Sequence, residues 1–409
     1  MIAKRPAGNY AVGLDVGTTK VCAIVGAEET GMKGIRILGL GTAASTGIKK
    51  GIVVDIEKTV SSIKSAIQEA KDKTGFGIES AYVGVAGGHI KGFHGYGAIG
   101  VRNGEIREED VERLLDSVGA MYIPVDREVL HIIPSGFKID GHNGVRDPVG
   151  MYGKRLEAQI HIITGAVTSV QNLLKCCELA GIEVNDIVLE PLASSEAVLR
   201  EEERQKGVAL MDIGGGTTDI AVYGGGILKQ TSVLPIGGNH ITNDIAVGLG
   251  ISFHEAERIK KQYGFALRGM TEVEPKHQRI IDITVTSSHT KRISLDVIAG
   301  IIQERCEELI RLVKREIEVN SGIPLGTSVV LTGGTSLLRG IRELSEDIIG
   351  LPVRIGIPEK IMGTALVESP IYATGVGLVN FGLRYSTQPE LGPSGIIERM
   401  RSWVNSLFK

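Results

Sequence analysis

Two short glycine-bearing turns, about 200 residues apart, constrain this chain more than anything else in it. The first runs Leu14-Asp15-Val16-Gly17-Thr18-Thr19-Lys20 and the second Asp212-Ile213-Gly214-Gly215-Gly216-Thr217-Thr218-Asp219. An apolar run precedes each (Tyr10 to Leu14, Val208 to Met211) and another follows it (Val21 to Val25, Ile220 to Tyr223). Strand, tight turn, strand: the pattern predicts two β-hairpins with the same chemistry at their tips. Glycine lets a backbone approach a ligand closely, so that successive N–H groups face one anion. Thr18, Thr19, Lys20, Thr217 and Thr218 add side-chain donors. An aspartate would repel phosphate, so Asp15 and Asp212 are read as holding Mg²⁺ or its water shell. Either turn alone matches an ordinary turn sequence. Two copies at a domain-sized separation predict a duplicated phosphate clamp, which a side chain at Gly215 should block.

Such a clamp needs a large supporting core. A chain of 409 residues is expected to divide into about two to four compact units. It is 42% apolar and 23% charged, ordinary for a globular chain, and its net charge of −3 gives no pull toward nucleic acid. Cys22, Cys176, Cys177 and Cys306 sit inside apolar patterns without C-x-x-C spacing, which predicts buried thiols in a reducing compartment. The histidines lack H-x-x-H spacing and are not read as metal ligands. Lys4 and Arg5 lead into Pro6 rather than into the apolar core of a signal peptide, and no apolar run is long enough to span a bilayer.

The remaining pattern alternates strands and helices. Ile56, Val60, Ile63, Ile67 and Ala70 recur at helical spacing until Gly75, and a strand follows over Ala81 to Ala86. From Gly87-Gly88 to about Gly165 the pattern turns strand-rich, with one short helix on Val111, Leu114, Leu115 and Val118, and reads as an inserted subdomain. A helix on Val170, Leu173, Leu174 and Cys177 is expected to end at Gly181. Beyond the second turn, Ser252 to Glu255 forms a capping box, strands are expected near Ile280 to Val285, and Ser294 caps a long helix to about Val319. Val329 to Leu331 then enters Thr332-Gly333-Gly334-Thr335-Ser336, read as a turn at a helix N-terminus and so as a further anion- or nucleotide-facing element.

In this order the motifs resemble those of the actin, heat-shock-chaperone and sugar-kinase ATPase superfamily over nearly the whole chain, and within it the bacterial FtsA family. The resemblance implies an α/β, actin-like ATPase fold of two duplicated lobes around a nucleotide cleft. The first phosphate motif falls on Asp15, Gly17, Thr18, Thr19 and Lys20, and the second on Asp212, Gly214, Gly215, Gly216, Thr217 and Thr218. The adenosine motif falls on Gly333, Gly334, Thr335 and Ser336; Glu257 and Lys260 fall where bacterial actins hold the ribose and base. Glu190-Pro191 resembles the first interdomain hinge, with Glu190 orienting water near the γ-phosphate, and Ala373 to Gly377 the second. The implied first lobe comprises 1–86, 165–194 and 364–385, with the FtsA-type insertion at 87–164. The implied second lobe comprises 195–236 and 301–363, with a further subdomain at 237–300.

The tail supports a membrane role by its own physics. Residues 386–395 have a linker's composition. On a helical wheel at about 100° per residue, Ile396, Ile397, Met400, Trp403, Val404, Leu407 and Phe408 fill one arc of about 140°. Polar residues fill the rest, and Arg399 and Arg401 flank the apolar face, where they can snorkel. This predicts an in-plane membrane helix. The family then implies ATP and Mg²⁺ as cofactors, with at most slow hydrolysis. Its implied location is the cytoplasmic face of the inner membrane at the septum. The implied partners are the C-terminal peptide of FtsZ at subdomain 237–300, further copies of the chain in protofilaments, anionic lipid and later divisome proteins. A metabolite kinase, a chaperone ATPase or another membrane-associated bacterial actin are the competing readings.

Overall fold

A computed structural model of the chain describes residues 9–28, 34–119, 123–273, 275, 279–286, 289–321, 327–363 and 367–385. The linker and amphipathic helix expected over 386–409 lie outside the described residues.

Both predicted hairpins form. Tyr10–Val16 pairs antiparallel with Lys20–Glu28, placing Asp15 opposite Cys22. Val208–Ile213 pairs antiparallel with Thr218–Gly224, placing Asp212 opposite Asp219. Each hairpin is extended in the same way. The strand entering the turn gains a parallel neighbour, Ser80–Val85 in the first lobe and Ser328–Thr332 in the second. The strand leaving it gains an antiparallel one, Ile35–Ala44 or Ile227–Leu234. Glu183–Leu189 and Ile361–Met362 complete a six-stranded first sheet, and Val353–Ile355 a five-stranded second. A parallel neighbour requires a crossover. The helix Ile56–Thr74 supplies it in the first lobe, and the helix Leu295–Ser321 lies in the corresponding stretch of the second.

The crossover helices follow from their sequences. Asp55 accepts the Lys58 N–H at 3.1 Å and caps the first one. Ile63, Ala66, Ile67 and Ala70 lie on one buried face, and the helix closes at Gly75, whose N–H returns to the Lys71 carbonyl at 2.8 Å. In the second, Ile298, Ile302, Leu309, Val313 and Ile317 form the buried stripe. All four cysteines are buried and free. Among the described residues no helix is long and apolar enough to cross a membrane.

The strand-rich block after Gly88 is a four-stranded antiparallel sheet in the order Lys91–Gly100, Arg155–Ala166, Arg127–Ile139, His142–Val145. The helix Glu108–Gly119 covers it, and Ile106, Leu114, Phe137, Leu156 and Ile160 are in its own core. This sheet leans on the outer strand of the second lobe: His161 Nε2 accepts the Thr231 N–H at 3.1 Å, and Arg146 donates to the Gly225 carbonyl at 2.6 Å. An edge strand that would otherwise offer unpaired backbone is thereby covered.

Two helices, Glu190–Val198 and Ala373–Tyr385, pack against each other between the lobes. Their approach is close enough that a Cβ on Gly377 would run into the Ala193 carbonyl. One expectation fails here. Ser328–Thr332 does not feed a helix at Ser336; a single 3₁₀ turn spans Gly334–Leu337, Leu338 is extended, and the α-helix starts only at Ile341. The short turn closes through Ser336 N–H to Gly333 and Leu338 N–H to Thr335, so no helix dipole stands behind the glycines.

Candidate functional site

The tips of the two hairpins touch. Each turn closes identically, Gly17 N–H donating to the Lys20 carbonyl and Gly214 N–H to the Thr217 carbonyl, both at 3.0 Å. A Cβ on Gly216 would lie 2.5 Å from Thr18 Oγ1, and one on Gly215 would collide with the Thr19 methyl. The bare backbone of the second turn is therefore the seat for the threonines of the first. A side chain at Gly215 would disturb this contact even without a ligand, so the expected blockade there is not a clean test. The helix Gly238–Leu249 braces the same turn, with the Gly238 and Asn239 N–H groups donating to the Gly214 and Gly215 carbonyls at 2.9 and 2.8 Å. Those helix-terminal donors are used by the protein itself.

Between the lobes lies a cavity of about 650 Å³. It brings together Asp15, Gly17, Thr18, Thr19, Lys20, Asp212, Gly214, Gly215, Gly216, Thr217 and Glu190 with Glu257, Lys260, Gly333, Gly334 and Thr335. Two expected residues do not line it. The Thr218 hydroxyl turns back to the Ile236 carbonyl at 2.8 Å, and the Ser336 hydroxyl to the Gly333 carbonyl at 2.7 Å. Both are buried structural donors. Gly333 itself has φ of +82°, which a side chain would strain, and its Cβ would strike Asp212 Oδ1.

The cavity floor is acidic. Burial, and then Asp212, pushes the Asp15 carboxyl up to about 6, against the opposing pull of Lys20. Glu190 is held well above its usual range by burial and then by Asp15, Asp219 and Asp212. Asp219 is raised by burial and then by Asp212; Asp212 is raised by burial, although hydrogen bonds from Ser194 and Thr374 oppose the shift. Asp219 Oδ2 accepts from Thr217 at 3.2 Å, while its Oδ1 is buried without a partner. Lys20 donates to the Ile371 carbonyl at 2.5 Å, with its ammonium 4.5 Å from the Tyr372 ring centroid. Buried carboxylates with one orphaned oxygen suit a cation. Among the described residues no three acidic, imidazole or thiol groups converge as ligands of a bare ion. The buried acids and the unpartnered Asp219 oxygen are a donor set that a hydrated Mg²⁺ would fit.

At the far end, Lys260 pairs with Glu257 at 2.7 Å and also donates to the Gly238 carbonyl at 3.0 Å and Thr242 at 2.8 Å. Burial lowers the Lys260 ammonium, with Glu257 opposing; Glu257, despite burial, is lowered by Lys260. The pair ties the helix Phe253–Tyr263 to the start of the helix Gly238–Leu249 and presents a fixed polar wall. Leu337, Leu338 and Arg339, whose guanidinium lies 3.8 Å from the Phe265 ring centroid, give an apolar and cationic rim. Sequence reading missed this rim, as it missed Asp219, Asn239, Lys261 and Thr374 on the cavity wall. Of these, Asp219 closes the second glycine-bearing motif and Thr374 falls in the second hinge motif, so both carried a signal.

Comparison with known proteins agrees over the whole chain. The family model described as cell division protein FtsA matches residues 209–377, and that described as the SHS2 domain inserted in FtsA matches 87–164. Cell division protein FtsA of Pseudomonas aeruginosa is 42% identical, with 100% of each chain covered. That of Neisseria meningitidis is 38% identical (97% of this chain, 98% of the relative), and that of Bacillus subtilis 40% (91% and 83%). Among solved structures, a chain of the PilM–PilN type IV pilus biogenesis complex superposes with a TM-score of 0.66 at 17% identity, covering 91% of this chain and 98% of that one. MreB5 of Spiroplasma citri bound to ADP superposes with a TM-score of 0.55 at 16% identity, covering 92% and 97%.

Proposed function

The chain belongs to the FtsA family of cell-division proteins, and from that premise we propose that it is an ATP-binding, actin-like protein that polymerises on the cytoplasmic face of the inner membrane at the septum, anchors FtsZ there and recruits later divisome proteins. The observation that carries the nucleotide part is the cavity itself. It joins two identically closed hairpins, a third glycine turn and a set of buried acids with an orphaned oxygen on Asp219. The same fold holds ADP in MreB5 of Spiroplasma citri.

In this reading the turns at Gly17 to Lys20 and Gly214 to Thr217 face the phosphates, and Lys20 supplies the positive charge. Asp15, Asp212 and Asp219 hold the hydrated Mg²⁺, which when bound neutralises phosphate charge. The Glu257–Lys260 wall and the Gly333-Gly334 turn hold the adenosine. Glu190 orients water. Glu190 lines the cavity beside these acids, which places its carboxyl where it could orient a water.

The FtsZ peptide is assigned to subdomain 237–300, where the hairpin carries Lys291 and Arg292, with Arg279 just before it. A second cavity of about 490 Å³ lined by Arg268, Asp296, Val297, Gly300, Ile301 and Glu304 lies in the same region. Full-length Arg292→Glu/Lys291→Glu should weaken binding of the peptide; undiminished binding would move the site, most plausibly to the insertion after Gly88.

Membrane attachment is assigned to the tail. Its seven apolar side chains would give about 10 kcal/mol or more if fully buried. In-plane insertion is shallower, and each basic residue near anionic lipid adds about 1 kcal/mol. Co-sedimentation of the full chain with liposomes, with and without Mg-ATP and FtsZ, tests the proposal. Wild type should pellet and carry FtsZ with it, Trp403→Glu should remain in solution with ATP binding intact, and Arg399→Gln should lose little. Pelleting of Trp403→Glu would rule out the tail as anchor.

A further inference from the structure

One buried carboxylate oxygen is held from two separate parts of the chain. Asp212, near the end of the strand Val208–Ile213, accepts a hydrogen bond on Oδ2 from Ser194 at 2.5 Å and another from Thr374 at 3.3 Å. The two hydroxyls are 3.0 Å apart although 180 residues separate them. Ser194 is fully buried and Thr374 nearly so. Ser194 belongs to the helix Glu190–Val198, one turn beyond Glu190 and therefore on its face. Thr374 is the second residue of the helix Ala373–Tyr385.

These are the two helices that pack together between the lobes, and their tightest approach is next door. A Cβ on Gly377 would enter the Ala193 carbonyl; the second helix is also seated on the first-lobe strand Tyr10–Val16, where a Cβ on Gly13 would lie 2.5 Å from the Gly375 carbonyl. So tight a contact leaves the helices little freedom except to turn as a pair. Any change in the angle between lobes must then move both hydroxyls against Asp212. Asp15, the counterpart in the first hairpin, has no such clasp among the described residues.

We propose that Ser194 and Thr374 are positioning residues that tie the orientation of the Asp212 carboxylate to the two interlobe helices, so that Mg²⁺-dependent nucleotide binding and lobe closure are a single event. This rests on the nucleotide reading above and adds to it the element through which the cleft communicates with the rest of the molecule. A merely structural clasp would satisfy a buried carboxylate and nothing more. A coupling clasp makes Asp212 present its free oxygen correctly at only one interlobe angle.

The test uses the full chain with single cysteines introduced at Lys64 and Asp347, both exposed and one on each lobe, for a distance label; the native cysteines are buried. ATP affinity is measured in Mg²⁺ and in EDTA, and the interlobe distance is read in each state. In wild type, Mg²⁺ tightens ATP binding and shortens the distance. In Ser194→Ala/Thr374→Val the tightening by Mg²⁺ falls about tenfold, the size expected for lost hydrogen bonds to a charged group, and the shortening disappears. Ser194→Thr and Thr374→Ser, which keep the hydroxyls, restore both. A double variant with wild-type tightening and closure overturns the proposal. If the double variant does not fold, Thr374→Val alone, which keeps the Ser194 bond, is read in the same two ways: it supports the coupling if both responses shrink and overturns it if neither does. Failure of wild type to bind ATP would instead defeat the nucleotide reading itself.

Discussion

In the first hairpin the Gly17 N–H closes on Lys20, and in the second the Gly214 N–H closes on Thr217, at the same 3.0 Å. Position by position the register then sets Asp15 against Asp212, Lys20 against Thr217 and Cys22 against Asp219. Backbone geometry is duplicated, but charge is divided. The first turn brings the cation and two threonine side chains; the second brings bare glycine backbone and a second buried acid. Asp212 is clasped by the interlobe helices, whereas Asp15 stands alone against Lys20. A cleft built from two copies of one turn thus has a side that carries the cation and the hydroxyls and a side that carries bare backbone and the extra acid.

The largest effect that would expose this division is at the clasped acid. Asp212→Ala should weaken Mg-ATP binding about a hundredfold, roughly 2.7 kcal/mol, because it removes a buried carboxylate and the acceptor that the Ser194 and Thr374 hydroxyls share. Asp15→Ala should cost about tenfold, since no built partner is orphaned. Equal losses, measured by calorimetry, would mean the hairpins are functionally symmetric and would break the comparison. Next comes Lys20→Ala, which should weaken ATP about tenfold whether or not Mg²⁺ is present. Loss of affinity only in Mg²⁺ would place Lys20 on the metal side instead.

The last effect falls on stability and not on binding alone, through pH. In the folded chain Asp15 sits at about 6, above its ordinary 3.8. A raised folded value stabilises the ligand-free protein below the unfolded value, and that contribution is lost as pH rises through about 6. The ligand-free protein should therefore lose on the order of 2 kcal/mol of stability between about pH 4 and 6.5, read as a falling melting temperature. Mg-ATP, which displaces the proton, should bind more tightly over the same window. Asp15→Asn should flatten both trends; unchanged slopes would assign them to Asp219 or Glu190, which are shifted in the same direction.

The asymmetry also marks what the sequence could reveal. The hairpins were legible because apolar runs flank glycine and aspartate in both, and local pattern alone dictates a turn. The helix Ile56–Thr74 was legible for the same local reason, with its cap, its buried stripe and its terminal glycine all present. Asp219 was not, because only the register opposite Asp212 turns a strand residue into a cleft residue. Ser194 and Thr374 lie on apolar helices where a hydroxyl reads as incidental, and their convergence is a tertiary fact. Thr218 and Ser336 misled in the opposite sense. Each belongs to a glycine-rich motif, yet strand alternation and a 3₁₀ turn direct their hydroxyls inward. The expected helix at Ser336 failed because Leu338 is extended and Gly340 sits at φ +82°, so a new helix had to begin after them.

Gly334→Val separates a nucleotide cleft from a merely structural one. A Cβ at Gly334 would meet only the Ile371 Cγ2, at 3.7 Å, so the fold has room for it, whereas Gly334 lines the cavity where the adenosine is assigned. Equilibrium ATP binding in Mg²⁺ should be measured beside the melting temperature of the ligand-free protein. The variant should melt within a few degrees of wild type and bind ATP at least about a hundredfold more weakly. A folded Gly334→Val protein that binds ATP as wild type does would contradict the nucleotide reading.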